Sequence, residues 1–350
     1  MTDLQILCWD GYDESDFLHQ FGQSQKLSIE ASKLVSDTWA AQQVMQGLAK
    51  IDILNINNPY ARKQLFPSNK IRSLDKSLFI PKLEYSLPWT SSLGDWAYAD
   101  SGELIGIPQR FGPFNFVVNT NTISATTAAD EGFNLIIEST SRPNYGILLF
   151  PEFNVFHICI SAGLNPFGPL GEEELQRFDF MARHWFQNAS LISNDSNQLN
   201  QALVDGDIDL FLSGGLFTSA NLRLQGYQNI QAITPKSGPI NGHGAIAFVE
   251  ITSIPTQSLR PKIAESFLSY ILEPSVAAQV ASNKNVCNPI IQMGNPAVFN
   301  LMSSKVLDAI QWDSLQEDLE HCAVYDIPTD FPALLARLKL IQEQISNHGK

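Results

Sequence analysis

The chain has 350 residues, with 22 Lys and Arg against 36 Asp and Glu for a formal charge of -14, and 44% of it is hydrophobic. That length exceeds one ordinary core, so two domains are expected, and the apolar content is that of a folded chain rather than a disordered one. The charge repels phosphate backbones and anionic lipid, so no nucleic-acid partner is expected and cationic partners are favoured.

The chain opens with LQILCWD, in which Leu4, Ile6 and Cys8 alternate with Gln5 and Leu7 as in a half-buried strand. The strand ends in Trp9-Asp10-Gly11-Tyr12, which puts an indole, a carboxylate and a phenol together at its carboxyl end. Residues 13–25 read as an amphipathic helix with Phe17, Leu18 and Phe21 on one face, KLSIEAS as a strand, DTWAAQQVMQGLAK as a helix with Asp37 as N-cap, and IDILNIN as a buried strand. This βαβαβ series predicts a parallel, doubly wound sheet. Residues 60–104 are punctuated by Pro and Ser, and LDKSLFIP and YSLPW read as surface loops.

The run LIGIPQRFGPFNFVVNTNTI is broken by Pro108, Gly112 and Pro113. A strand so interrupted is not expected to lie whole in one sheet, which makes it a crossover between two lobes. A second α/β series follows: YGILLFPEFNVFHICISAG as strand, turn, then helix, GEEELQRFDFMARHWFQ as a helix with an acidic first turn, NQLNQALVDGD as another helix, and IDLFLSGG and NIQAITPKSG as strands. HGAIAFVEI returns to the first lobe, RPKIAESFLSYILEPSVAAQVASN reads as one long helix or a helix pair broken at Pro274, and residues 328–346 are helical. The expected architecture is α/β: residues 1–111 with 244–289 form lobe 1, residues 114–241 with 290–350 form lobe 2, and hinge crossings lie near 108–116 and 239–246. In open α/β sheets ligands bind beyond the carboxyl ends of strands, and Trp9, Asp10 and Tyr12 sit there.

Cys8, Cys159, Cys287 and Cys322 lie far apart with no metal or disulfide spacing and read as isolated buried thiols. The histidines show no paired ligand spacing, so no metal and no cofactor are expected. No nucleophile–base pair or phosphate loop is present, so no enzyme is expected; Asp205-Gly206-Asp207 and Ser213-Gly214-Gly215 read as turns. The longest apolar stretch, from about Gly146 to Leu164, is interrupted by Glu152, Asn154 and His157 and does not read as a bilayer span. MTDLQILCWD has no basic or apolar leader, which leaves two readings open: a truncated or misannotated start of a periplasmic protein, or a cytoplasmic one.

The W-x-x-Y turn of Trp9 and Tyr12, the Asp-Ile-Leu segment before Asn57 and Tyr60, GIPQRFGPFNFVVNT, ILLFPEFNVF, DGDIDLFLSGG, ITPKSGP and AESFLSYILEPSVAAQVASNKNVCNP occur in an order that covers nearly the whole chain. Together they resemble the extracellular solute-binding proteins of bacterial ABC importers, in particular the spermidine/putrescine-binding group. The resemblance implies a type II periplasmic-binding-protein fold, two lobes of doubly wound sheet joined by a two-crossing hinge. It further implies a monomer that closes on a small solute and delivers it to a membrane permease.

By the same resemblance, Trp9 and Tyr12 match the first aromatic pair, Asp10 a polar position of that turn, Tyr60 lies near the second aromatic site, and Glu152 is closest to the second-lobe carboxylate. Where that group places a tryptophan before Asn-Gly, this chain has Ser213-Gly214-Gly215; where it places Trp-x-Asp, this chain has Gly242-His243-Gly244. Polyamine recognition joins aromatic faces along the methylenes to carboxylates at the amines. Each candidate also has a plain structural role open to it. Asp10 suits an N-cap or turn acid of the helix that follows, Glu152 a helix N-terminus, His243 a glycine-flanked turn, and Arg110 a salt bridge between lobes rather than a clamp on a ligand carboxylate. The expected ligand-binding set is therefore Trp9, Asp10, Tyr12, Asn57, Tyr60, Arg110, Glu152, Ser213 and His243. The expected ligand is putrescine or spermidine, with an amino acid or γ-aminobutyrate as the alternative, and an intracellular enzyme or sensor on the same fold as a third reading.

Overall fold

The structure, a computed structural model, describes residues 3–13, 15–48, 50–83, 87, 95–137, 143–283 and 286–348. Its strands are β1 (Leu4–Cys8), β2 (Ile29–Lys33), β3 (Ile53–Asn57), β4 (Ile107–Asn119), β5 (Tyr145–Leu148), β6 (Leu191–Ser193), β7 (Leu210–Gly215), β8 (Ile230–Ile233), β9 (Ala245–Ser253) and β10 (Cys322–Val324). The residues group into two compact units, Met1–Phe111 with Phe248–Leu307 and Gly112–Ala247 with Asp308–Lys350. Residues 290–307 thus group with the first unit, whereas the sequence reading placed them with the second.

In the first unit β1 lies between β2 and β3, parallel to both. Leu4, Ile6, Leu7 and Cys8 are all buried, so β1 is covered on both faces, as parallel strands flanked by helices are; the half-buried alternation expected from Gln5 does not describe it. The final residues of β9 run antiparallel to β3, from Leu54 opposite Ser253 to Asn57 opposite Glu250, with β4 next in strand order. Helix α1 (Asp16–Gln25) buries Phe17, Leu18 and Phe21, and Phe21 packs edge-on against Phe267 at 5.2 Å between ring centroids. Helix α2 (Asp37–Gln46) is capped by Ser36, whose side chain accepts the Trp39 amide, not by Asp37 as the sequence suggested. LDKSLFIP is also no loop. Lys76–Leu83 is helical, with Asp75 Oδ1 accepting the Ser77 amide and Phe79 buried, and this anchoring outweighs Pro81. Part of YSLPW lies outside the described residues.

In the second unit the later residues of β4 pair antiparallel with β7 and with β8, while β5 pairs parallel with β7 and β6. The first residues of β9 pair parallel with β10. Helix α3 (Pro151–Ser161) is buried from Glu152 to Ile160, and α4 (Glu172–Asn188) buries Phe178, Trp185 and Phe186. The helix Phe331–His348 is joined to α4 by Arg337–Asp179 at 2.7 Å and Arg183–Gln344 at 2.6 Å.

β4 is one continuous 13-residue strand, contrary to the expectation that Pro108 and Pro113 break it. Pro108 is its second residue and Pro113 precedes the first residue paired with β7, so neither removes a donor from the ladder with β7. The strand nevertheless contributes its first residues to one unit and its last to the other, and so does β9. No helix among the described residues is long and apolar enough to cross a membrane.

Candidate ligand-binding site

The carboxyl ends of β1 and β3 and the first turn of α2 meet at Asp37. Its carboxylate, fully buried, accepts the Trp9 indole N–H (3.2 Å), the Asn57 backbone amide (3.0 Å) and the Asn57 side-chain amide (2.8 Å). The positive end of the α2 dipole favours an anion at this position, and three donors offset its desolvation. The next residue, Thr38, lies with its hydroxyl 3.0 Å from that of Tyr60. Trp9, Asn57 and Tyr60, chosen from sequence, are therefore brought together. Asn57 and Tyr60 are buried and supply the frame, and half-buried Trp9 has its N–H directed inward.

A second cluster lies under the turn after β1. Arg110, in β4, is 2% exposed, and its Nε donates to Glu250 of β9 at 3.0 Å. Its Nη1 donates to the Asp10 carbonyl at 2.8 Å, and its Cζ stands 4.2 Å from the Tyr12 ring centroid. Burial opposes the Arg110 charge, and Glu250 and Tyr12 overcome this and hold it above its ordinary range. Burial lifts the Glu250 carboxyl against the lowering effect of Arg110, and lifts the Tyr12 phenol well above its usual value. Both members of the ion pair belong to the first unit, so it is not the salt bridge between lobes considered from the sequence. The Asp10 carboxylate points to solvent, 60% exposed and 2.8 Å from Lys33 Nζ. It does not cap α1, whose N-cap is Ser15.

In the second unit Glu152 is buried in the first turn of α3, where the helix dipole supports its charge. Around it runs a string of rings: Phe150–Phe153 at 4.2 Å, Phe153–Phe114 at 3.9 Å, Phe114–Tyr325 at 5.7 Å and Phe114–Phe217 at 6.3 Å. Phe150 and Phe217 are half-buried and offer ring surface. Ser213 is fully buried with φ of 63°; its Oγ accepts from Asn154 Nδ2 at 2.8 Å and lies 3.1 Å from His157 Nδ1, which ties β7 to α3. Burial lowers His157 from 6.5 to about 4. His243 is half-buried in a tight turn closed by its own amide to Ile240 O (3.0 Å), and a Cβ on Gly238 would stand 2.6 Å from Gly244 Cα.

Sequence reasoning missed Asp37 as the holder of Trp9, Glu250 as the partner of Arg110, and the rings of Phe150 and Phe217. The Ser36-Asp37 pair held a signal, since two capping residues in succession leave one side chain for other use. Glu250 inside the apolar strand AIAFVEITS held another, because a buried carboxylate requires a partner. Cys8, Cys159, Cys287 and Cys322 are buried and unbridged, and burial raises each thiol. Among the described residues no group of three or more His, Cys, Asp or Glu could hold a metal ion.

No family model matches the chain, and no curated protein matches it in sequence. Solved structures do match along nearly its whole length. The chain is similar to the spermidine/putrescine ABC transporter substrate-binding protein PotD of Streptococcus pneumoniae, solved in complex with calcium and HEPES. Identity is 15% and TM-score 0.68, over 97% of this chain and 99% of that one. It is similar to the Tp0655 (TpPotD) lipoprotein of Treponema pallidum at 14% identity and TM-score 0.69, over 98% of each chain. It is also similar to the PBP MotA of A. tumefaciens B6, solved with glucopine, at 12% identity and TM-score 0.64, over 99% of each. These likenesses show the fold, that of type II periplasmic binding proteins, as the resemblance implied.

Proposed function

We propose that the chain is the solute-binding component of an ABC import system and that its solute is a small cationic amine such as putrescine or spermidine. The fold likeness, shared with substrate-binding proteins over the full chain, supports the transport reading. The observation that carries the choice of ligand is the pairing of Arg110 with Glu250. The guanidinium is neutralised inside its own unit, so it leaves no buried positive charge for a ligand carboxylate. Among the described residues at the β1 turn, Asp10 and Asp13 lie near Lys33, Glu250 pairs with Arg110, and the Asp37 carboxylate accepts the Trp9 indole N–H. That excess of carboxylates attracts an ammonium group. Within the first unit, Trp9 then offers an indole face to the methylenes and Asp10 a carboxylate to an amine.

A zwitterionic amino-carboxylate is the second reading, favoured by the neighbour that holds glucopine. It requires a cation other than Arg110, and His243 is the remaining candidate among the nine. In either case capture is a ligand-linked shift between two states, whose extent is set by the ligand's differential affinity for them. The partner is a membrane permease, the working form a monomer, and the site of action the periplasm. A thermal-shift series with putrescine, spermidine, γ-aminobutyrate and glycine betaine tests the reading, because a ligand bound only by the native state raises its melting temperature. Saturable shifts with the amines are expected. Shifts confined to carboxylate ligands would contradict the amine assignment.

A further inference from the structure

The turn Trp9–Tyr12 contains a feature that ligand contact does not explain. Gly11 has φ of +89°, and a Cβ built there would stand 3.3 Å from Arg110 Nη1 and 3.0 Å from Val286 Cβ. The guanidinium therefore fills the space beneath the turn. It donates to the Asp10 carbonyl on one side of Gly11 and lies over the Tyr12 ring on the other. Its remaining tie is Glu250. Arg110 and Glu250 stand on β4 and β9, one and two residues from the points where these strands pass from one unit to the other, 111/112 and 247/248.

We propose that Arg110 is a positioning residue that fixes the Trp9–Tyr12 turn to the two crossing strands, so that the shape of the turn and the state of β4 and β9 are set together. This rests on the reading of the turn as a ligand-binding element, yet it makes a claim that holds without any ligand. A guanidinium suits the role because its planar fork serves a carbonyl and a carboxylate in fixed directions while its face meets an aromatic ring; an ammonium cannot do all three. Glu250 keeps the buried charge compensated. The arrangement also predicts how Arg110 acts on binding. Its effect on affinity passes through the turn and does not depend on whether the ligand carries a carboxylate.

The test is amide hydrogen exchange on Arg110→Lys without ligand, followed by titration with putrescine and γ-aminobutyrate. The Tyr12 and Ser15 amides, bonded to Trp9 O and Tyr12 O, report the turn, and the β1 amides of Ile6 and Leu7 report the unit core. Positioning predicts at least tenfold faster exchange at Tyr12 and Ser15 with Ile6 and Leu7 unchanged. Equal acceleration at all four amides, or none, overturns it. If Arg110→Lys does not fold, Tyr12→Leu, which removes the ring under the guanidinium, takes its place and must loosen the same two amides, whereas Tyr12→Phe must not. In the titration, affinity for each probe that the unaltered protein binds must fall by the same factor in Arg110→Lys. A loss confined to γ-aminobutyrate would make Arg110 a carboxylate clamp and overturn the proposal. If the unaltered protein binds neither probe, the functional reading fails, and the exchange result decides this inference alone.

Discussion

At Asp37 one buried carboxylate takes three donors, two of them from Asn57 and one from Trp9. Asp37→Asn turns one oxygen into an NH2 that faces a donor, so the variant should lose about 1–3 kcal/mol of stability, the usual penalty of an unsatisfied buried polar group. Urea unfolding measures this, and an unchanged midpoint would show that the carboxylate does not hold Trp9 and Asn57. His157 gives a pH prediction of definite sign. Its folded-state pKa is depressed to about 4 from 6.5, so the unfolded chain binds the proton more readily. The stability it provides is whole above pH 6.5 and is lost as pH falls from 6.5 towards 4, by about 3 kcal/mol at one pKa unit per ~1.4 kcal/mol. The difference between unaltered protein and His157→Gln across that window isolates this part, and parallel curves would contradict it. At this scale the sequence showed Trp9 and Tyr12 because a strand visibly ended in them. It concealed the roles of Asp37, Glu250 and Ser213, whose partners lie 20 to 140 residues away along the chain.

Local rules act at the element scale, and there the sequence was most legible. The periodicity of α1 and the helix break at Pro274 appear where pattern put them, whereas Ser213-Gly214-Gly215, read as a turn, forms the end of β7. The misses follow from length and competition. β6 and β10 have three residues each, too few for a period to register, and β10 exists only through its pairing with Ala245–Ala247. The helix at Lys76–Leu83 was hidden by Pro81, and Ser36 was passed over as the cap of α2 in favour of its neighbour. Ser36→Ala should therefore cost about 1 kcal/mol, the usual worth of an N-cap, in the same urea assay. Gly11→Ala places a Cβ in the left-handed region and against Val286 and Arg110. A loss of about 1–3 kcal/mol is expected from strain and overpacking together. A neutral Gly11→Ala would mean that the turn is not shaped as described.

For the whole molecule, two α/β units linked through long strands were foreseeable from the doubled strand–helix series and the Pro-Gly crossover. The membership of residues 290–307 was not. It rests on distant ties such as Gln292 Nε2 to Pro108 O at 2.7 Å and the bridge between Arg110 and Ile290. The fold likeness was legible because it rests on the order of segments along the chain rather than on any single residue. Ser213 and His243 stand where the resembling group has aromatic and acidic side chains, while Phe150 and Phe217 provide ring surface that no motif announced. The central claim is reversible binding of a small amine without chemical change. Isothermal titration of the intact chain with putrescine and with γ-aminobutyrate, followed by mass spectrometry of the recovered ligand, tests it most directly. The account predicts saturable one-site binding of putrescine, weaker or absent binding of γ-aminobutyrate, and ligand recovered intact. Preferential binding of γ-aminobutyrate, or a new product mass, would contradict it.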